Sequence, residues 1–273
     1  MLHQASKFLA VSALAFAALS GPSFAGTPCD LSDGYGLAPS AFLEEAESCL
    51  EGFDGVYTDT FMSNELLRLA GDERTAQGAP EIESLSSLIK AARLHAYDMA
   101  VRGYASHEDL EGRSHLDRVR IVDRSRLISA FGANVVVVKA GTPVEEIQKI
   151  IMADPANAAN FKRSEFDHMG VAAIESNGML YIVELFARVD GTLTSPLPAV
   201  ATPSSNLTAS FSNEKLEPVG WSVVSASGKT LLRGVGKKLP ATLPRIEEGF
   251  LQFDVALGKN VYTLKGPAIS SSL

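Results

Sequence analysis

Only two cysteines occur in 273 residues, and there is a single tryptophan. Two thiols cannot build a disulfide-dense scaffold or a four-cysteine zinc site, so a packed core has to hold the fold. Clusters of basic residues are missing as well. With 24 Lys and Arg against 32 Asp and Glu, a formal net charge of -8 and no basic run, the chain lacks the electrostatic footprint of a nucleic-acid or anionic-membrane binder. Past the N-terminus no apolar run approaches the length of about 20 residues that a transmembrane helix needs. The mature chain is therefore expected to carry no membrane span. Neither internal repeats nor the serine elbow or paired carboxylates of common hydrolases are found.

What is present begins with "MLHQASK", the apolar run "FLAVSALAFAALS" and "GPSFA". This pattern reads as a secretory signal peptide over 1–25, cut after Ser23-Phe24-Ala25, so the protein is expected to be exported, either periplasmic or extracellular. In an oxidising compartment Cys29 and Cys49 are expected to form a disulfide stapling a leader over 26–60, worth about 3 kcal/mol in the entropic account. Within that leader, Ser40 opens a helix near 40–50 whose face is Phe42, Ala46, Cys49 and Leu50.

Apolar residues make up 46% of the chain, enough for one large or two small cored domains. The spacing predicts helices over 63–78 and 81–103, the second burying Leu85, Leu88, Ala92, His95 and Met99. Ser114 and Asp117 fit a capping box for a helix through Val119, Ile121 and Val122. "ANVVVVKA" (133–140) reads as a strand, and Thr142-Pro143 opens a helix that stops near Pro155. "GVAAIES", Asn177-Gly178 and "MLYIVELFARV" read as a hairpin whose second strand is apolar on both faces, so the sheet is expected to be covered on both sides. The Pro- and Ser-rich stretch 191–206 reads as a linker, and 207–273 as a small β module of short strands.

Taken together, "LLRLAGDERTAQG", "ARLHAYDMAVRGYASHEDLEGRSHLDRV", "FGAN", "MADPANAANF" and "FDHMGVAAIESNGMLYIVELFA" resemble a bacterial member of the CAP superfamily. That superfamily comprises the cysteine-rich secretory, antigen 5 and pathogenesis-related 1 proteins. The resemblance spans roughly residues 62–190 and implies an α-β-α sandwich over a domain at 61–190, followed here by the β module. It also implies a cavity lined by two histidines and two acids, which binds a divalent metal in some members. Carried over residue by residue, the first histidine is His107, one acid becomes Ala133, the second histidine becomes Asn157, and Asp154 takes the other acidic position.

With two of four groups replaced, the cavity falls short of the three good ligands a zinc site requires, so neither metal nor cofactor is expected. Cavity candidates are His107, Asp154, Asn157 and Glu184, the last an acid on the Leu180, Ile182, Phe186 face that is either reached by water or lines a pocket. His95 is expected to be a buried structural residue, and His115 and His168 surface or capping residues. Glu108, Asp109 and Glu111 read as a solvated turn. The function these features favour is a non-catalytic exported protein binding a small, apolar ligand or an envelope partner. The alternative is an envelope hydrolase acting on peptide or glycan with His107 as base.

Overall fold

A computed structural model describes residues 31, 34–36, 38–50 and 56–271; the expected signal peptide and Cys29 lie outside these residues. Among them the elements run α1 (Pro39–Leu50), β1 (Val56–Thr58), α2 (Thr60–Ala76), β2 (Glu83–Ser84), α3 (Ser86–Arg102) and α4 (His115–Val122). Then come β3 (Arg126–Lys139), α5 (Val144–Ala153), α6 (Pro155–Lys162), β4 (His168–Ser176) and β5 (Met179–Leu193). The C-terminal strands are β6 (Ala209–Phe211), β7 (Glu217–Val224), β8 (Thr230–Gly234), β9 (Ile246–Leu257) and β10 (Asn260–Ser271).

The β4–β5 hairpin sets the frame. Asn177 (φ 52°) and Gly178 (φ 73°) supply the two positive φ angles of a type I′ turn, which puts Ser176 opposite Met179 and fixes the register behind it. With the register fixed, alternate residues of β5 divide between two cores. Val183, Leu185 and Ala187 pack with Leu88, Ala92 and Met99 of α3, Val119 of α4 and Phe42 of α1. Ile182 and Phe186 pack with Leu66 of α2, Ile147 of α5 and Phe161 of α6. The result is a three-layer α-β-α sandwich, in agreement with the sequence. Helix α3 lies close on the sheet because a Cβ at Gly170 would collide with the backbone of Leu88 and Ile89.

The 81–103 segment is not helical throughout. Glu83 and Leu85 donate their N–H groups to the carbonyls of Asp167 and Met169, so β2 pairs beside β4 before α3 begins. Sequence periodicity cannot see this, since the pairing partner is more than 80 residues away.

The C-terminal strands extend the same sheet, whose order is β1-β4-β5-β3-β10-β9-β7-β8. Lys265 of β10 pairs with Ile128 of β3. The stretch expected as a linker is packed: β5 continues to Leu193 and pairs with β6, while Leu197 and Ala201 are buried with Trp221, Leu251 and Phe253. A few apolar side chains without periodicity were enough to seat it. Two arginines hold the junction. Arg120 donates from Nε to the Gly266 carbonyl (2.7 Å) and from Nη2 to the Leu251 carbonyl (2.7 Å), with its guanidinium 4.5 Å from the Phe250 ring centre. Arg124 donates from Nε to the Leu197 carbonyl at 2.9 Å.

Replacing Arg120 by Met leaves two buried carbonyls without donors, each worth about 1–3 kcal/mol. Urea unfolding of Arg120→Met should show a loss of roughly 2–4 kcal/mol, together with faster proteolytic cleavage around 191–206. An unchanged urea midpoint would mean that the β9–β10 hairpin docks without this clamp.

Candidate functional site

Residues 103–118 connect α3 to α4 and carry the densest polar chemistry of the fold. Gly103 (φ 70°) ends α3 in the left-handed conformation, and Ser114 with Asp117 forms the expected capping box that starts α4. Between them the chain is far from a solvated turn. Glu108 is exposed, but Asp109 is 5% exposed, accepting from the Arg113 N–H (2.7 Å), Arg113 Nε (3.0 Å) and Arg118 Nη1 (3.2 Å). Burial pushes its carboxyl up, yet the Arg113 N–H and the two guanidinium groups outweigh that and hold it below the usual carboxylate range. Glu111 receives a bidentate pair from Arg102, which also grips Asp98.

Three histidines meet on this connection. The rings of His95 and His115 cross edge-to-face with centres 4.6 Å apart, and those of His107 and His115 at 5.4 Å. His95, buried as expected, directs Nε2 at the Ser106 carbonyl (2.7 Å), so the proton is assigned to Nε2 and Nδ1 is bare. His115 caps nothing at the surface; it is 4% exposed and its Nδ1 accepts from Arg118 Nη2 at 3.1 Å. Burial first and the Arg118 charge second lower His95 to about 3, and the same causes hold His115 well below the imidazole range. Both rings are therefore neutral at physiological pH. The His107 ring faces solvent, and its carbonyl lies 3.5 Å from Arg118 Nη2.

The other cavity candidates are elsewhere. Glu184 shares the parity of Ile182 and Phe186, so it points to the α2–α5–α6 side, while the histidines lie on the α1–α3–α4 side. It is fully buried. Oε2 accepts from Asn134 Nδ2 (2.8 Å), Asn134 Oδ1 accepts from Asn160 Nδ2 (2.7 Å), and Oε1 has no hydrogen-bond partner among the described residues. Asp154 is exposed and caps α6 through the N–H groups of Ala156 and Asn157, and Asn157 is half-buried in the first turn of that helix. The structure thus does not bring His107, Asp154, Asn157 and Glu184 together; the sheet separates His107 from Glu184. Ala133 packs on the histidine side, one residue out of phase with Asn134. His168, half-buried, is held by Asp167 with Nδ1 2.6 Å from Oδ1.

The sequence reading put Asp109 and His115 at the surface, where the structure buries them, and it passed over Arg118 and the Asn134–Asn160 pair. Their spacings were visible, Asp109 to Arg113 at i+4 and His115 to Arg118 at i+3, but spacing does not reveal burial. Cys49 is buried against α3 and α4, and none of the described cysteines is free; its expected partner lies outside the described residues.

The family model for the cysteine-rich secretory proteins, CAP, matches residues 67–186, inside the 62–190 span of the motifs. Residues 67–186 thus carry a CAP domain. Among solved structures, the chain is similar to an outer surface protein of Borrelia burgdorferi, at 15% identity and TM-score 0.42, covering 49% of this chain and 98% of the other. It is also similar to an extracellular SCP-domain protein of Bacillus anthracis, at 16% identity and TM-score 0.40, covering 47% and 40%. A cysteine-rich secretory protein of Staphylococcus aureus matches at 17% identity and TM-score 0.32, covering 47% and 38%. The chain thus spans under half the length of the last two. No curated protein matches significantly.

Relative to the cavity implied by the CAP resemblance, this domain keeps one exposed imidazole beside a buried guanidinium. Among the described residues no three His, Cys, Asp or Glu side chains are grouped to hold a metal.

Glu184 offers a direct pH test. Its carboxyl ionises near 4.5 when unfolded and near 7 in the fold, where burial raises it and the Asn134 hydrogen bond only partly opposes. Between those values the folded protein keeps a proton that the unfolded chain has released, so stability is full below about pH 4.5 and declines as pH rises through 7. The loss should total on the order of 3 kcal/mol. Glu184→Gln should remove this slope, matching the parent near pH 5 and exceeding it at pH 8 in thermal denaturation. A parent protein with flat stability from pH 4.5 to 8 would refute the assignment.

Proposed function

We propose that this CAP protein is exported and acts as a non-catalytic binding protein for a small amphipathic ligand in the cell envelope or outside the cell. One observation carries the non-catalytic part: Arg118 sits beneath the histidine cluster. A fixed guanidinium beside neutral imidazoles lowers their basicity and repels an incoming divalent cation. The His107 ring accepts and donates no hydrogen bond among the described residues, so no carboxylate orients it as a hydrolase base would require. Export rests on the signal-like segment 1–25 and is compatible with the absence, among the described helices, of any long and apolar enough to cross a membrane. A disulfide between Cys29 and Cys49 belongs to the same proposal.

A cavity of about 430 Å³ where the CAP domain meets the C-terminal strands supports the ligand reading. Leu216, Val255, Leu257 and Leu264 make its apolar wall, Tyr262 stands at 45% exposure, and Arg188, paired to Asp190 at 2.9 Å, marks the polar side. Apolar lining with a few convergent polar groups is the ordinary composition of a small-molecule site.

Two measurements test the proposal. Purified protein dialysed against zinc should retain less than one equivalent, with no change in His107→Ala. Stoichiometric zinc lost in that variant would overturn the non-catalytic reading. Titration with the neutral fluorescent probe N-phenyl-1-naphthylamine should give saturable binding, weakened about tenfold by Leu257→Asp, which places a charge on the apolar wall. Equal affinity in parent and variant would exclude this cleft as the ligand site.

A further inference from the structure

The α3–α4 connection closes over two imidazoles that have no room for a second proton. His115 Nδ1 accepts from Arg118 Nη2 at 3.1 Å, and since a guanidinium can only donate, that nitrogen is bare and Nε2 carries the hydrogen. Nε2 of His115 and Nδ1 of His95 are sealed from solvent with no partner among the described residues. A proton arriving at His115 Nδ1 breaks the bond to Arg118 and leaves two cations in contact. One arriving at His95 Nδ1 places a buried charge where no acceptor meets it.

Neighbouring acids do not compensate. On the connection, Asp109 is taken by Arg113 and Arg118, and the exposed His107 ring brings no negative charge. Asp98 of α3 is bound by Arg102 and by Tyr104, whose ring lies 6.0 Å from that of His95. Glu248 of β9 has Arg113, Asp117 and Asp109 as its charged neighbours. The pH response therefore has the opposite sign to that of Glu184. An opened connection takes protons on both imidazoles below about pH 6.5, whereas the closed one refuses them, so closure is firm above that value and weakens as pH falls. Glu184, across the sheet, gains its proton as pH falls through 7 and steadies its own side. Acid thus loosens one face of the sandwich while strengthening the other.

The contacts that would go are specific. His95 Nε2 holds the Ser106 carbonyl at 2.7 Å, and Arg113 holds the carbonyls of Tyr35 (3.0 Å) and Gly36 (2.9 Å). Tyr35 is 2% exposed, and its hydroxyl reaches the Leu94 carbonyl of α3 at 3.4 Å.

We infer that residues 103–118 form an acid-released latch: protonation of His95 and His115 opens the connection and frees residues 34–36 from α3, while the sheet and the α2–α5–α6 side stay folded. The inference uses none of the residues lining the proposed ligand cleft and stands apart from it. Hydrogen exchange read by mass spectrometry on the full chain, at pH 7 and pH 4.5 with intrinsic rates corrected, tests it. Protection over 103–118 should fall about a hundredfold for each ring that opening exposes, while the β4–β5 hairpin keeps its protection. The double variant His95→Gln, His115→Asn retains a donor for Ser106 and an acceptor for Arg118 but cannot titrate, so its acid response should disappear. Should the pair be unfolded at pH 7, His115→Asn alone is read the same way and should shrink the response at least about tenfold. Equal protection of the parent at both pH values, a loss shared by the hairpin, or an undiminished response in the folded variants would overturn the inference.

Discussion

The ion pair between Asp109 and Arg118, with both side chains 1% exposed, fixes the geometry of everything around the α3–α4 connection. A buried pair alone is a weak source of stability, because removing two charges from water costs several kcal/mol. Here the desolvation is offset by additional hydrogen bonds. Arg118 also reaches the Arg113 carbonyl (2.9 Å) and His115 Nδ1, and Arg113 carries the network outward to the carbonyls of Tyr35 and Gly36. Loop, helix start and N-terminal segment are thereby locked by one set of charges. The gain is uniqueness of conformation, since any other path for residues 103–118 would strand a buried guanidinium.

The same device recurs wherever elements end inside the protein. Arg74, fully buried, donates to the carbonyls of Pro80, Phe161, Arg163 and Phe166, joining α2 to the close of α6 and the lead-in to β4. Arg120 and Arg124 do likewise at the junction with the C-terminal strands. Helix ends leave carbonyls without intrahelical donors, and a guanidinium offers five N–H groups in a rigid fork. One arginine therefore satisfies several chain ends that apolar side chains would leave unpaired.

This use of arginine explains what was legible in the sequence and what was not. Local rules transferred well: the Asn177-Gly178 turn, the Ser114–Asp117 box and the apolar stripe of α3 all depend on neighbours a few residues apart. The two faces of β5 were readable too, and from them the layering of the sandwich. Burial of charge was not. Asp109, Glu111 and His115 have the composition of a surface turn, and charged residues are rarely buried unless paired; their partners come from α3, from α4 and from residues 34–36. Glu184 failed for a related reason. Alternation placed it correctly among Ile182 and Phe186, but only pairing on both sides, with β3 and β4, and the cover of α6 decide that water does not reach it.

Position in the sheet also governs which polar groups can meet. Ala133 and Asn134 are adjacent in sequence yet serve opposite faces, the first beside the α1–α3–α4 core and the second bonded to Glu184 and Asn160. A strand turns successive side chains to opposite sides, so Glu184 and Ala133 face different cores, however close the two strands lie. The polar chain Glu184–Asn134–Asn160 ties β5, β3 and α6 together on one face, while the other face keeps His107 above a neutral His115 and a charged Arg118. The sheet thereby separates the Glu184 carboxyl from the His107 imidazole, while the carboxylate on the histidine side, Asp109, is held by Arg113 and Arg118.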